Sequence, residues 1–166
     1  MIPNKYDTAI KSIIETLKPR TMAEVGVHKG HRASLAIRTA QQHTNTVHYT
    51  GYDLWELMKD NETAINGKGQ PPHKSVVERR LNSLLRPQDT LTLIQGDTAQ
   101  TLEYNTQYDF VFIDADHRLE AIERDYERVK GSGTVLFDDV FKGAPHNQGA
   151  QQLIEHLNAQ SNITVY

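Results

Sequence analysis

The chain has 166 residues, enough for one domain with a substantial core, and its 37% hydrophobic and 23% charged residues are the balance of a globular protein rather than a disordered one. A formal net charge of −3 offers no general attraction to nucleic acid or an anionic membrane, and no apolar run approaches the roughly 20 residues needed to span a bilayer. The absence of cysteine excludes disulfides, thiol catalysis and cysteine–zinc sites, and the start "MIPNKYDTAIK" lacks the apolar core of a signal peptide, so the expected location is the cytoplasm.

In "YDTAIKSIIETLKP", Ile10, Ile13, Ile14 and Leu17 repeat at helical spacing and Pro19 follows the end. "TMAEVGV" reads as a short strand, Gly26 and Gly30 bracket a turn, and "HRASLAIRTAQQ" resumes a helical pattern. "TVHYTGYDLW" is a second strand. The polar, Gly- and Pro-containing stretch 56–74 that follows is the longest loop and is expected to act as a lid. "SVVERRLNSLL" is a helix, "TLTLIQGD" a third strand, "TAQTLE" a short helix and "YDFVFIDAD" a fourth strand. "RLEAIERDYERVK" is a helix with Leu119, Ile122, Tyr126 and Val129 inward. "GSGTVLFDDV" is a fifth strand, "QGAQQLIEHLNAQ" a helix, and "NITVY" a last possible strand. Strand and helix alternate without repeat or linker, which predicts a single α/β domain over 1–166: a mostly parallel sheet with helices on both faces. Continuous apolar runs such as "FVFI" and "TVLF" fit strands buried on both sides.

Each strand ends in a carboxylate or a glycine turn: Gly26 and Gly30 after the first, Asp53 after the second, Asp97 after the third, Asp114 and Asp116 after the fourth, Asp138 and Asp139 after the fifth. In an open parallel sheet these ends form the ligand crevice. One aspartate alone is usually a solvated surface group or a helix cap. Five ends behaving alike place like charges together, which repel unless something cationic joins them: a cationic ligand, a metal ion, or both. A dinucleotide site needs a glycine triplet after the first strand. Here the turn reads "GVHKGH", with Val27 and His28 where that motif wants small residues. S-adenosylmethionine, with a positive sulfonium and no phosphate, suits an acidic crevice better. Asp53 could accept ribose hydroxyls in either case. The basic run His28, Lys29, His31 and Arg32 would favour an anion, but exposed helix starts often carry such residues.

"AEVGVHKGHRA" resembles the first motif, E-x-G-x-x-x-G, of the class I S-adenosylmethionine-dependent methyltransferases. "YTGYDLW", "IQGDTAQTL", "FIDADH" and "TVLFDDVF" follow in that family's order and spacing over about residues 20–158. The chain is most similar to small-molecule O-methyltransferases of the catechol, caffeoyl-CoA and sugar types, especially those with D-A-D-H before a helix; "KGAP" after "FDDVF" is also similar to the catechol enzymes. The resemblance implies a Rossmann-like three-layer α/β/α sandwich. It implies that Glu24, Gly26 and Gly30 shape the methionine end of the cofactor site, that Asp53 holds the ribose, and that Asp97 with the Thr98 amide reads the adenine edge. Asp114 falls at the cofactor site and at the family's first metal carboxylate, and Asp138 and Asp139 at the other two. His117 falls where catechol-type enzymes carry a catalytic lysine.

The chemistry of those residue types agrees. Magnesium prefers oxygen ligands, and a divalent ion lowers the pKa of a bound hydroxyl. A histidine can take the proton near neutral pH. The implied activity is methyl transfer to a hydroxyl of a small molecule, assisted by Mg2+. The bland readings are that Asp116 caps the next helix, that Asp139 bonds backbone amides, that His117 is an exposed loop residue and that Trp55 is core or lid packing rather than an adenine neighbour. Among the other histidines only His146 lies near the crevice. A second reading is a protein that binds or consumes S-adenosylmethionine without a methyl acceptor, and a third is a nucleotide-binding module.

Two departures from the family stand out. Position 119 is leucine where D-A-D-H relatives carry an aromatic. The chain also stops where a sixth strand would begin, so the fold is expected to be C-terminally shortened, with an open sheet edge that invites a homodimer.

Overall fold

The computed structural model describes residues 5–58, 71–138, 140 and 149–159. Five strands form one sheet: β1 (Thr21–Val25), β2 (His48–Asp53), β3 (Thr90–Gln95), β4 (Phe110–Ile113) and β5 (Thr134–Phe137). Its order is β3-β2-β1-β4-β5, and every described pairing is parallel. Among the described residues the helices are α1 (Lys5–Leu17), α2 (His31–Ala40), α3 (Lys74–Asn82), α4 (Thr98–Thr101), α5 (Leu119–Val129) and α6 (Gly149–Ala159), with a 3-10 turn at Trp55–Leu57. The α/β alternation read from the sequence is therefore present. Most of the lid stretch, "KGAP", His146 and the last possible strand lie outside the described residues.

The alternation of side chains along each strand builds two cores. Met22, Tyr49, Phe110 and Phe112 face Ile10 and Ile14 of α1, Ala33, Ala36 and Ile37 of α2, and Val77 and Leu81 of α3. Ala23, Val25, Tyr52, Val111 and Ile113 face the other way, onto Leu102 and Val129. Helix α6 packs on α5 through Ala150, Leu153 and Ile122. Trp55 is fully buried in the first core, where it packs. Asp89, just before β3, has a buried carboxylate that accepts from Gln41 Nε2 and Arg86 Nε (2.9 and 3.0 Å) and from the Val47 amide (2.8 Å). These bonds hold it ionised, well below the usual carboxylate range, although burial works against that. The network ties the end of α2 to the starts of β2 and β3.

The chain runs outward from β1 to β2 to β3, then crosses back to lay β4 on the other side of β1. That reversal puts a crevice between the carboxyl ends of β1 and β4, the position at which open α/β sheets take their ligands.

Candidate functional site

The parallel register brings the strand ends into one row. Gly26 N–H donates to Tyr52 O (2.8 Å), Gly96 N–H to Asp53 O (3.0 Å), Asp114 N–H to Val25 O (2.8 Å) and Asp138 N–H to Ile113 O (3.0 Å). Gly26, Asp53, Asp97, Asp114 and Asp138 thus emerge side by side along one edge of the sheet. Asp139 lies outside the described residues.

At the switch point the backbones nearly touch. Gly26 has φ +97°, and a Cβ there would lie 2.2 Å from the Asp114 carbonyl oxygen. Only glycine meets both demands. Gly30, with φ +71°, precedes α2, and a Cβ there would press on Val77 at 3.0 Å. The first motif's two glycines are therefore required by the turn and its packing before any ligand arrives.

Asp53 holds that turn from the neighbouring strand. Its carboxylate accepts the His28 amide at 2.6 Å and the Trp55 amide at 2.7 Å, and Trp55 Nε1 donates to His28 O at 3.1 Å. His28 and Trp55 both have left-handed backbones, with φ of 47° and 45°. Such conformations cost of order 1–3 kcal/mol each in a non-glycine residue and persist only where the surroundings fix them. One carboxylate fixes both, and each of its oxygens keeps a further lone pair for a ligand.

Glu24, two residues before Gly26, is buried and accepts a hydrogen bond from the Tyr49 hydroxyl. Burial pushes its carboxyl up to about 8, with the Asp114 and Asp53 charges adding to the rise and the Tyr49 bond and Arg32 opposing it. The folded chain therefore binds a proton at Glu24 that the unfolded chain releases near the ordinary value of 4.5. Stability from this residue is present at low pH and is lost as pH rises through that window, by up to about 5 kcal/mol. Urea unfolding of the ligand-free protein should show lower stability at pH 8 than at pH 5. Glu24→Gln should flatten the difference, and an unchanged slope in that variant would remove the assignment.

Asp114 and Asp138 are bridged by a residue that sequence reasoning had set aside. Arg32, in the first turn of α2, donates through Nη1 to Asp114 Oδ2 and through Nη2 to Asp138 Oδ2 at 3.1 Å. Its guanidinium lies 5.2 Å from the centroid of the Phe112 ring. The signal was present in the sequence: α2 has no acidic residue in its first turn, only His31 and Arg32, although cations oppose the dipole there.

On the outer side, Asp97 caps α4, accepting from the Ala99 amide at 2.8 Å, and pairs with Arg124 at 3.7 Å. Thr98 is buried beside it, and Arg124 Nη2 reaches its hydroxyl at 3.3 Å. Asp116 bonds the Arg118 amide at 3.0 Å and the Arg118 guanidinium, a local turn rather than a cap, since the residue preceding α5 is Arg118 itself. His117 sits in the same loop, where a Cβ on Gly149 would lie 2.4 Å from its carbonyl oxygen, so α6 presses directly on this backbone.

A turn that only glycine can make, open at the switch point and rimmed by acids, fits an adenosyl sulfonium better than a pyrophosphate. Of the three carboxylates assigned to a divalent ion, Asp139 lies outside the described residues, and Asp114 and Asp138 each direct Oδ2 at one guanidinium, while Asp138 Oδ1 is buried with no hydrogen-bond partner among the described residues. Among the described residues no group of three His, Cys, Asp or Glu side chains could hold a metal.

Residues 23–140 match the family described as "Methyltransferase domain". No curated protein matches the chain. Among solved structures, the O-methyltransferase NovP is 15% identical with a TM-score of 0.68, over 94% of this chain and 72% of its own. The Bacillus cereus O-methyltransferase in complex with SAH is 16% identical with a TM-score of 0.61, over 96% and 71%. TomG from Streptomyces achromogenes, an O-methyltransferase of tomaymycin synthesis in complex with SAM, is 15% identical with a TM-score of 0.59, over 97% and 71%. These likenesses carry the fold, and the family match carries the class: the chain belongs to the S-adenosylmethionine-dependent methyltransferase family.

Proposed function

We propose that the protein transfers a methyl group from S-adenosylmethionine to a hydroxyl of a small molecule. The observation that carries this reading is the glycine-only turn at Gly26, laid against Asp114 at the β1–β4 switch point with the acids of three further strands beside it. The solved relatives named above are O-methyltransferases, which supports a hydroxyl as the acceptor.

The donor supplies a methyl carbon on a positively charged sulfur, an electrophile that needs little covalent help. The chain's task is placement, for which effective-molarity arguments allow roughly 7–11 kcal/mol. In this reading Glu24, Gly26 and Gly30 shape the methionine end, Asp53 bears on the ribose, and Asp97 with the Thr98 amide bears on the adenine edge. Asp114 faces the sulfonium with its charge. His117 takes the proton from the acceptor hydroxyl, and α6 fixes the backbone that carries it. The acidic rim also raises the local concentration of a cationic donor. No step runs through a metal ion. β5, an edge strand among the described residues, supports a homodimer; a single species of monomer mass in light scattering would remove that part.

The test is methyl transfer to a panel of phenols, diols and sugars. We expect turnover with at least one hydroxylated acceptor, and His117→Ala should lower it about 100-fold with the affinity for S-adenosylhomocysteine unchanged. An unaltered pH–rate profile in that variant would remove His117 as the base. Tight cofactor binding with no acceptor turned over would favour a binding protein instead.

A further inference from the structure

We infer that Arg32 is the resident cation of this site, standing between Asp114 and Asp138 where metal-assisted relatives would place a divalent ion. Three independent observations support it. The first is geometric: one guanidinium meets Oδ2 of both carboxylates, which come from β4 and β5 and lie 82 and 106 residues away in sequence. The carboxylates are almost entirely buried, at 3% and 8% side-chain exposure, and Arg32 is at 25%. Buried charges of this kind are retained only when paired, and a planar fork with fixed donors suits two carboxylates at once.

The second concerns the helix. A cation in the first turn opposes the α2 dipole, so α2 gains nothing from Arg32 in isolation. The compensation comes chiefly from the two strand-end acids, with smaller help from Glu24 and Asp7, and from the Phe112 face beside the guanidinium. Arg32 is therefore placed for the site, not for the helix.

The third is charge balance. Counting only the three groups in contact, one guanidinium against two carboxylates leaves a single negative charge, of the sign a sulfonium answers. A divalent ion added to the same pair would set its own charge against both the guanidinium and the donor. Arg32 is thus a positioning residue. It holds Asp114 and Asp138 in place through one oxygen of each, where a divalent ion would otherwise compete for them.

The inference about activity rests on the methyltransferase reading, but the decisive readout does not. Free Mn2+ can be followed by its electron paramagnetic resonance signal during titration of the ligand-free protein. The wild type is expected to sequester none up to millimolar concentration. Arg32→Ser exposes the two carboxylates and is expected to tighten Mn2+ binding by about 100-fold or more. Adding Asp138→Asn to that variant should abolish the gain. Stoichiometric uptake by the wild type that Asp138→Asn removes would overturn the inference, as would a folded Arg32→Ser variant with no gain. If Arg32→Ser fails to fold by circular dichroism, the wild-type titration with and without Asp138→Asn decides alone. As a second readout, calorimetric binding of S-adenosylhomocysteine to the wild type should be unchanged by EDTA. Binding lost in EDTA would count against Arg32, whereas no binding in either condition would strike the methyltransferase reading and leave the Mn2+ result standing.

Discussion

Gly26→Ala is expected to abolish cofactor binding and to lower the melting temperature by about 10 °C. The new methyl carbon would lie 2.2 Å from the Asp114 carbonyl oxygen and 2.8 Å from the Ala115 nitrogen, all backbone atoms with no rotamer to escape into. The residue must also hold φ at +97°, where a side chain is strained whatever the space. Strain of about 1–3 kcal/mol and overpacking of a similar size add to roughly 3–5 kcal/mol. At about 2–4 °C per kcal/mol for a chain of this length, that gives the stated shift. β1 and β4 would have to separate at the switch point, so the ligand crevice takes the damage directly. Gly131→Ala is the control: its new atom meets only the end of the Gln107 side chain at 3.0 Å, which can move. Equal melting temperatures for Gly26→Ala and the wild type would contradict the close approach.

Asp53→Ala is the second large effect. It removes the acceptor for two backbone amides, His28 at 2.6 Å and Trp55 at 2.7 Å, and both donors belong to residues with positive φ. Hydrogen bonds to a charged acceptor contribute about 1.5–3 kcal/mol each, so a loss of roughly 3–5 kcal/mol is expected, with the first glycine turn released. Affinity for S-adenosylhomocysteine should fall about 100-fold or more. Asp53→Asn separates the two roles assigned to this residue. Its remaining carbonyl oxygen can keep one amide, so much of the stability should survive. If Asp53 also accepts ribose hydroxyls, affinity should still drop in that variant by about tenfold, the effect of one lost hydrogen bond of about 1.4 kcal/mol. Full affinity in Asp53→Asn would confine Asp53 to a structural role.

These two residues also mark what the sequence could disclose. Strand and helix identities were legible because the signal is local: "FVFI" is apolar throughout because both faces of β4 are covered, and α5 repeats its buried Ile122 and Val129 at helical spacing. The convergence of the strand ends was legible too, because a parallel sheet aligns them whatever its order. The order itself was not, since nothing near residue 110 states that β4 lies beside β1 rather than β3. The glycines were read for a ligand, yet Gly26 is dictated first by the neighbouring backbone. The bonds Asp53 makes could not be foreseen, because left-handed His28 and Trp55 leave no mark in residue type. Asp97 was expected at the adenine, but its carboxylate caps α4, which leaves that role as a proposal. Arg32 was the clearest omission. Its partners are remote in sequence, and only the oddity of a basic first turn pointed inward.

The central claim is that the strand-end acids receive a positively charged methyl donor. Calorimetric titration of the wild-type chain with S-adenosylmethionine, S-adenosylhomocysteine and NAD tests it most directly. The account predicts one site for each adenosyl compound, lost in Gly26→Ala, and no heat from NAD; saturable binding of NAD with neither adenosyl ligand bound would contradict it.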